Sequence, residues 1–275
     1  MTVTVIYDTN MSDKLEGRSL GKTFTRRDSS LTVLEDVSIT IRPGEFVSII
    51  GASGCGKTTL LRMLHGLIAP TTGEVLIDGE RIDGPTRKRG FVLQQASLLP
   101  WRTVLDNVTF GMELDRIPGA QAKARARDLI KLVGLTGFES HYPSEISGGM
   151  QQRVNIARAL AIEPDILFMD EPFAAVDAQT REVMQAELLR IWDIDRKTVV
   201  FVTHQLDEAV YLSDRVIVLG ARPGRVREIL TIDLPRPRTL AVKRSHEFAD
   251  YVDRVWKLIE NEVVSGDESP SAASA

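Results

Sequence analysis

The sequence predicts an α/β fold: a core with a mainly parallel sheet, an antiparallel β edge and an inserted α-helical subdomain. Three observations lead there. Strand-like apolar runs alternate with helical stretches from Phe46 to Leu219, the pattern of a parallel sheet covered by helices on both faces. Short apolar runs separated by turns fill residues 18 to 50 and read as a strand-rich edge. From Pro100 to Gly137 the pattern turns helical, with good helix formers and Arg/Lys on one side of Ala122 to Val133, which marks an inserted lobe.

Size and composition bound the class. At 275 residues the chain is near the upper size of a single core, and 43% hydrophobic against 26% charged residues excludes a disordered class. The formal net charge of −4 gives no reason to expect nucleic acid as a partner. A single cysteine, Cys55, rules out an internal disulfide framework. Cys55 reads as a small packing residue, with a redox-sensitive thiol as the alternative. No N-terminal segment combines a basic start, an apolar centre and a small-residue cleavage site, so a cytoplasmic location is expected. No apolar run reaches the ~18–20 residues that cross a bilayer as a helix, so membrane association has to come through a partner.

The organising stretch is Phe46 to Thr59. A buried strand, Phe46-Val47-Ser48-Ile49-Ile50, breaks into Gly51-Ala52-Ser53-Gly54-Cys55-Gly56-Lys57-Thr58-Thr59, which fits G-x-x-x-x-G-K-[ST]. Backbone N–H groups of such a loop wrap a polyphosphate where a helix begins, here expected from Thr58 to about Leu67. The glycines let the main chain approach the phosphates. Lys57 supplies charge to the β- and γ-phosphates, and Thr58 can offer its hydroxyl to Mg²⁺. The core is therefore of the P-loop nucleotidase type.

Taken in order, residues 1 to 17 lack lasting periodicity and read as a loosely held, flexible arm. Leu31 to Leu34 and Val37 to Ile41 form the β edge before Arg42-Pro43-Gly44-Glu45. Gly73 to Gly79 and Phe91 to Leu93 read as strands with a surface loop between them, the second ending at Gln94. A helix is expected from Ser147-Gly148-Gly149 to Ile162, a buried strand over Ile166 to Met169, a helix over residues 178 to 192, and strands over Thr198 to Thr203 and Arg215 to Leu219. Residues 221 to 244 carry seven basic side chains among prolines and read as a solvated loop, the alternative being contact with lipid headgroups or a membrane partner. His246 to Val264 reads as an amphipathic helix and Ser265 to Ala275 as a disordered tail.

The strand ending in Asp170-Glu171 puts two carboxylates at the carboxyl edge of the sheet, where open α/β folds bind ligands. Asp170 is expected to hold the Mg²⁺ shell, and Glu171 to polarise the attacking water, a step worth roughly 10²–10⁴-fold. His204, directly after the strand Val199 to Thr203, emerges at the same edge within reach of a γ-phosphate.

Gly51 to Thr58, Gln94, Ile146-Ser147-Gly148-Gly149-Met150, Asp170-Glu171, Asp177 and His204 occur in the order and rough spacing of the ATP-binding subunits of ABC transporters, and the chain resembles that family over about residues 18 to 245. The helical subdomain then spans about 95–155, and residues 246–275 are a C-terminal addition. The resemblance implies ATP and Mg²⁺ as cofactors and a head-to-tail dimer with a second copy of the chain, with two ATP molecules between the copies. In that dimer Ser147, Gly148 and Gly149 cap the γ-phosphate in the other copy's cradle. It also implies that Gln94 contacts Mg²⁺ or water, that Asp177 links the two sites, and that Phe24 stacks on adenine, an aromatic there also being a common core residue. Ile146, Met150 and Val176 depart from the commonest residues of the family.

Leu98-Leu99-Pro100-Trp101-Arg102-Thr103-Val104, the 147–150 run, Ala221 to Arg225 and Leu234 to Arg238 are similar to the nitrate/sulfonate/taurine group of importers. Such a subunit works at the cytoplasmic face of the cell membrane, bound peripherally to integral membrane permease subunits and served indirectly by a solute-binding protein. Leu98 to Trp101 is then either the permease-docking cluster or a packing patch of the helical lobe. Rival readings are a non-transport ABC regulatory module, which usually joins two cassettes in one chain, and a nucleotide kinase or GTP switch, which the Ser-Gly-Gly run and His204 oppose.

Overall fold

The computed structural model describes residues 13–26, 29–174 and 176–266. Its centre is a six-stranded sheet in the order β10-β9-β3-β8-β7-β6. The strands β3 (Phe46–Gly51), β6 (Arg89–Val92), β7 (Ile166–Asp170), β8 (Thr198–Val202) and β9 (Arg215–Leu219) pair in parallel. The edge strand β10 (Val226–Thr231) runs antiparallel to β9. Every residue of β3, β7 and β8 is buried, the mark of strands covered on both faces.

A second, four-stranded antiparallel sheet has the order β2-β1-β4-β5, from β1 (Leu15–Arg26), β2 (Ser29–Ile41), β4 (Thr72–Ile77) and β5 (Glu80–Arg81). Between the two sheets lies α1 (Lys57–His65). Its Leu60, Leu61 and Leu64 pack with Leu20, Val37 and Ile39 on one side and Ile49, Phe168 and Val200 on the other. Strand alternation sends Phe46, Leu167 and Phe201 to the opposite face of the large sheet. There they meet Leu188 and Trp192 of α5 (Ala178–Asp195), Tyr211 of α6 (Leu206–Leu212) and Phe248 of α7 (His246–Gly266). The helical subdomain has its own core, built by Val104 and Val108 of α2 (Val104–Leu114), Ala126 and Ile130 of α3 (Gly119–Leu132) and Val154 and Ala157 of α4 (Gly148–Ala161).

Several boundaries differ from the sequence reading. Residues 15 to 17 belong to β1 rather than to a loose arm, because β1 is central in its sheet: Leu15 pairs with Ile41 on one side and Ile77 on the other and is fully buried. The rest of the expected arm and tail, residues 1–12 and 267–275, lies outside the described residues, and α7 includes Ser265 and Gly266. Helix α4 ends at Ala161, within one residue of the expected Ile162, so the approximate subdomain bound at 155 falls inside it. The segments read as loops hold β5 and β10, each too short or too mixed to show a period, and α6 fills a stretch with no element expected from the sequence.

The basic stretch 221–244 is only partly solvated, which corrects the loop reading. Arg238 is buried and donates to five main-chain carbonyls: Leu234 (3.2 and 3.3 Å), Val210 and Tyr211 (both 3.1 Å), Ser213 (2.7 Å) and Ile232 (3.1 Å). Its guanidinium thus satisfies carbonyls at the C-terminal end of α6 that lack helical partners. Burial pushes its pKa down to about 10. Arg236 donates to Asp214 at 2.8 Å and stands 4.3 Å from the ring centre of Trp192. The arginines fasten this stretch to α6 and to Asp214. Replacing Arg238 by alanine would leave those carbonyls without a donor, and urea unfolding should show a loss of about 3 kcal/mol or more.

Candidate functional site

The phosphate loop leaves β3 and turns directly into α1. Gly56 caps the helix at φ 101°, and a Cβ there would lie 2.8 Å from Leu34 Cδ2, so a side chain is excluded by both backbone and space. Lys57 is buried, and its Nζ donates to the carbonyls of Gly51 (2.9 Å) and Ala52 (3.1 Å), closing the loop around its own ammonium group. Cys55 is buried behind the loop while Ser53 and Gly54 face solvent, the packing role expected of that cysteine. Thr58 and Thr59 stand in the first turn of α1, where free amides and the helix dipole favour an anion.

Parallel register carries the remaining groups to the same edge. Asp170, the last residue of β7, accepts a hydrogen bond from Thr58 Oγ1 at 2.9 Å. Burial raises its carboxyl above the ordinary aspartate value, opposed by the Thr58 hydrogen bond and the charges of Arg62 and Lys57. Two hard oxygen donors this close, one a buried carboxylate, fit a small divalent cation that takes its other ligands from phosphate and water. Glu171 follows at φ 44°, a sparsely populated backbone region for a residue with a side chain. Its Oε2 lies 3.0 Å from His204 Nδ1 and accepts from Gln94 Nε2 at 3.4 Å. The three residues read from the sequence as catalytic therefore meet at one carboxylate oxygen, from three separate strand ends.

Ser147 and Asp177 stand elsewhere. Ser147 caps α4, its Oγ accepting from the Met150 N–H at 3.3 Å, and Asp177 caps α5, accepting from the Thr180 N–H at 3.0 Å. These two helix starts touch: a Cβ on Gly149 would be 3.5 Å from Thr180 Cγ2. Among the described residues no hydrogen bond joins Ser147, Gly148 or Gly149 to the phosphate loop, and Ser147 and Gly148 are exposed. The chain thus carries two separate anion-compatible surfaces. Phe24, on β1, is 43% exposed beside its cross-strand partner Leu31, with Lys22 Nζ 5.2 Å from its ring centre. It is a surface aromatic and not part of the core.

Some supporting residues gave no sequence signal. Gln152 and Asn155 of α4 donate to the Leu93 carbonyl at 3.1 and 3.3 Å, and Arg158 donates to the Ser97 carbonyl at 2.8 Å. They hold both flanks of the Gln94 turn from the helix that Ser147 caps. Their spacing of three, on the face opposite an apolar one, is visible only once α4 is known to pack there. Arg181 of α5 binds the carbonyls of Phe173 (3.3 Å) and Val176 (2.6 Å) and the Gln205 side chain (2.8 Å), tying the Glu171 side of the site to the segment after His204.

This fold and this cluster define a P-loop nucleotidase. The family described as ABC transporter matches residues 34–174, and the chain belongs to it as an ATP-binding subunit with ATPase activity. It is 53% identical to an ABC transporter ATP-binding protein of Methanocaldococcus jannaschii, with 92% of this chain and 94% of the relative covered. It is 42% identical to an aliphatic sulfonates import ATP-binding protein of Bacillus cereus (91% and 96% covered). It is 43% identical to a nitrate import ATP-binding protein of Synechocystis (89% and 94% covered). Among solved structures it is similar to a dimeric ATP-binding cassette in a post-hydrolysis state bound to ADP and Pi, with a TM-score of 0.72 and 35% identity, over 80% of this chain and 99% of that one.

The raised Asp170 carboxyl gives a pH-dependent stability. An acid whose folded pKa lies above its unfolded value favours folding while protonated and loses that contribution as pH rises through the folded pKa. Asp170→Asn should therefore melt at a higher temperature than the unaltered protein at pH 7 without nucleotide or metal. The difference should close as pH falls toward 3.8, the ordinary aspartate value.

Proposed function

We propose that this subunit hydrolyses ATP to power import of a small solute, such as nitrate, a sulfonate or taurine, through a partner membrane permease. The observation that carries the hydrolytic reading is the single Glu171 oxygen shared with His204 and Gln94, one residue from the Thr58–Asp170 pair. The names of the sulfonate and nitrate relatives support the solute class.

In this reading the amides of residues 51–59 and Lys57 bind the triphosphate, and Phe24 stacks on adenine. Thr58, Asp170 and Gln94 hold Mg²⁺, which when bound neutralises phosphate charge and polarises the γ-phosphoryl group. Glu171 accepts a proton from water as the water oxygen bonds to the γ-phosphorus and the bond to the ADP oxygen breaks. His204 holds both the Glu171 carboxylate and the γ-phosphate in line. The donors that this edge lacks come from a second copy: its Ser147, Gly148 and Gly149 cap the γ-phosphate and its Asp177 meets the facing site. The dimeric neighbour bound to ADP and Pi supports that arrangement. Closure on ATP and opening after hydrolysis is a population shift, since γ-phosphate contacts exist only in the closed pair.

No helix among the described residues is long and apolar enough to cross a membrane, which supports a peripheral subunit at the cytoplasmic face of the cell membrane. Docking on the permease falls to the segment after Gln94. Leu98 packs toward the helical subdomain core, but Trp101 is 72% exposed. Asn107, fully buried, fixes the display by accepting from the Leu99 N–H at 2.8 Å and donating to the carbonyls of Leu99, Arg102 and Thr103 at 3.0–3.1 Å. An exposed tryptophan on a braced loop is a fitting anchor for a partner, and a solute-binding protein is served only through that permease.

Glu171→Gln should bind ATP as the unaltered protein does, lose about 100-fold or more in turnover, and accumulate as an ATP-bound dimer in size-exclusion chromatography. A variant that hydrolyses ATP at the unaltered rate would overturn the role given to Glu171. Trp101→Ala should abolish copurification with the membrane subunit while leaving the melting temperature of the isolated subunit in place.

A further inference from the structure

The loop after β9, Gly220-Ala221-Arg222-Pro223-Gly224-Arg225, is seated on the phosphate loop. The Gly224 N–H donates to the Val33 carbonyl at 2.8 Å and the Gly224 carbonyl accepts from the Glu35 N–H at 3.0 Å. A Cβ at Gly224 would lie 2.1 Å from the Cys55 carbonyl oxygen, so the two loops are in main-chain contact. This seating brings Arg222 over Gly54. A Cβ built on Gly54 would be 2.6 Å from Arg222 Nη2 and 3.4 Å from both Cζ and Nε, so the Nε–Nη2 edge of the guanidinium occupies the place a side chain would take. Gly54 itself has φ 75°, and with Ser53 it is the solvent-facing part of the loop.

Arg222 is exposed, and among the described residues no carboxylate pairs with it. Its neighbour Arg225, on the same loop, pairs with Glu35 at 2.8 Å and points elsewhere. A guanidinium held against the main chain of a phosphate-binding loop, with its donors free, is the arrangement that recognises a phosphate oxygen.

We propose that Arg222 is a nucleotide-binding residue that the phosphate-loop motif does not include, donating to a phosphate oxygen of the ATP held by residues 51–58. The proposal rests on the reading of that loop as the triphosphate cradle. The recognised chemistry is a di- or triphosphate, because the contact lies along the loop and away from the Glu171 end of the site. Lysine in its place would keep the charge without the flat fork.

The test is equilibrium binding of ATP, ADP and adenosine to the full-length chain and to Arg222→Ala, Arg222→Lys and Arg225→Ala. Arg222→Ala should bind ATP and ADP about tenfold more weakly and adenosine unchanged, with Arg222→Lys intermediate and Arg225→Ala unaltered. The slope of affinity against salt concentration should also fall for Arg222→Ala. Matching thermal melts without nucleotide establish that the exposed substitution leaves the fold intact. Equal ATP and ADP affinity in Arg222→Ala and the unaltered chain would overturn the role of Arg222 and leave the cradle reading standing. Failure of the unaltered chain to bind ATP would overturn both. A loss that extends equally to adenosine, or equally to Arg225→Ala, would assign the loop a structural effect and overturn the phosphate contact.

Discussion

Parallel hydrogen bonding of β3, β8 and β7 is the constraint on which the site depends. The register aligns Ile49 with Val202 and Val202 with Asp170, so the chain leaves three adjacent strands at one level. Each exit carries a different chemistry: an amide-lined turn, a carboxylate pair and a histidine. Because all three strands are buried on both faces, their ends cannot shift independently, and interior packing rather than loop structure fixes the distance between Glu171 and His204.

Around this fixed edge the helical subdomain is attached both by apolar packing, with Ile156 and Ala159 of α4 in the core under the large sheet, and by polar groups. Gln152, Asn155 and Arg158 hold the main chain on both sides of Gln94, so the turn that reaches the Glu171 carboxylate is fastened to the helix that begins at Ser147. The same turn leads into the Trp101 segment. The same helix that holds this turn also contributes Val154 and Ala157 to the apolar core of the subdomain.

Much of this was legible in the sequence, and the reason is locality. The phosphate loop is specified by contiguous residues, and Asp170-Glu171 and His204 could be placed because each directly follows a run too apolar to be anything but a buried strand. Arg238 shows where that logic fails. A basic residue among prolines reads as solvated, and only the carbonyls of Val210, Tyr211 and Ser213, left open by the end of a helix of seven residues, give it a buried place. Leu15 was obscured by its polar neighbours, since its burial comes from Ile41 and Ile77, both distant in sequence. Arg181 and Asn107 were invisible for the same reason: each acts on main-chain carbonyls, and a carbonyl leaves no trace in residue identity.

The bonds from Lys57 to the Gly51 and Ala52 carbonyls bear on how ligand enters. The ammonium already has oxygen partners at hydrogen-bond distance, so capture of a polyphosphate is an exchange of one oxygen set for another around a cation that is in place beforehand. The ammonium group is thus already oriented into the loop by main-chain oxygens. Affinity then reflects the difference between charged phosphate oxygens and neutral carbonyl oxygens as partners for one ammonium, and that difference grows with each negative charge on the terminal phosphate.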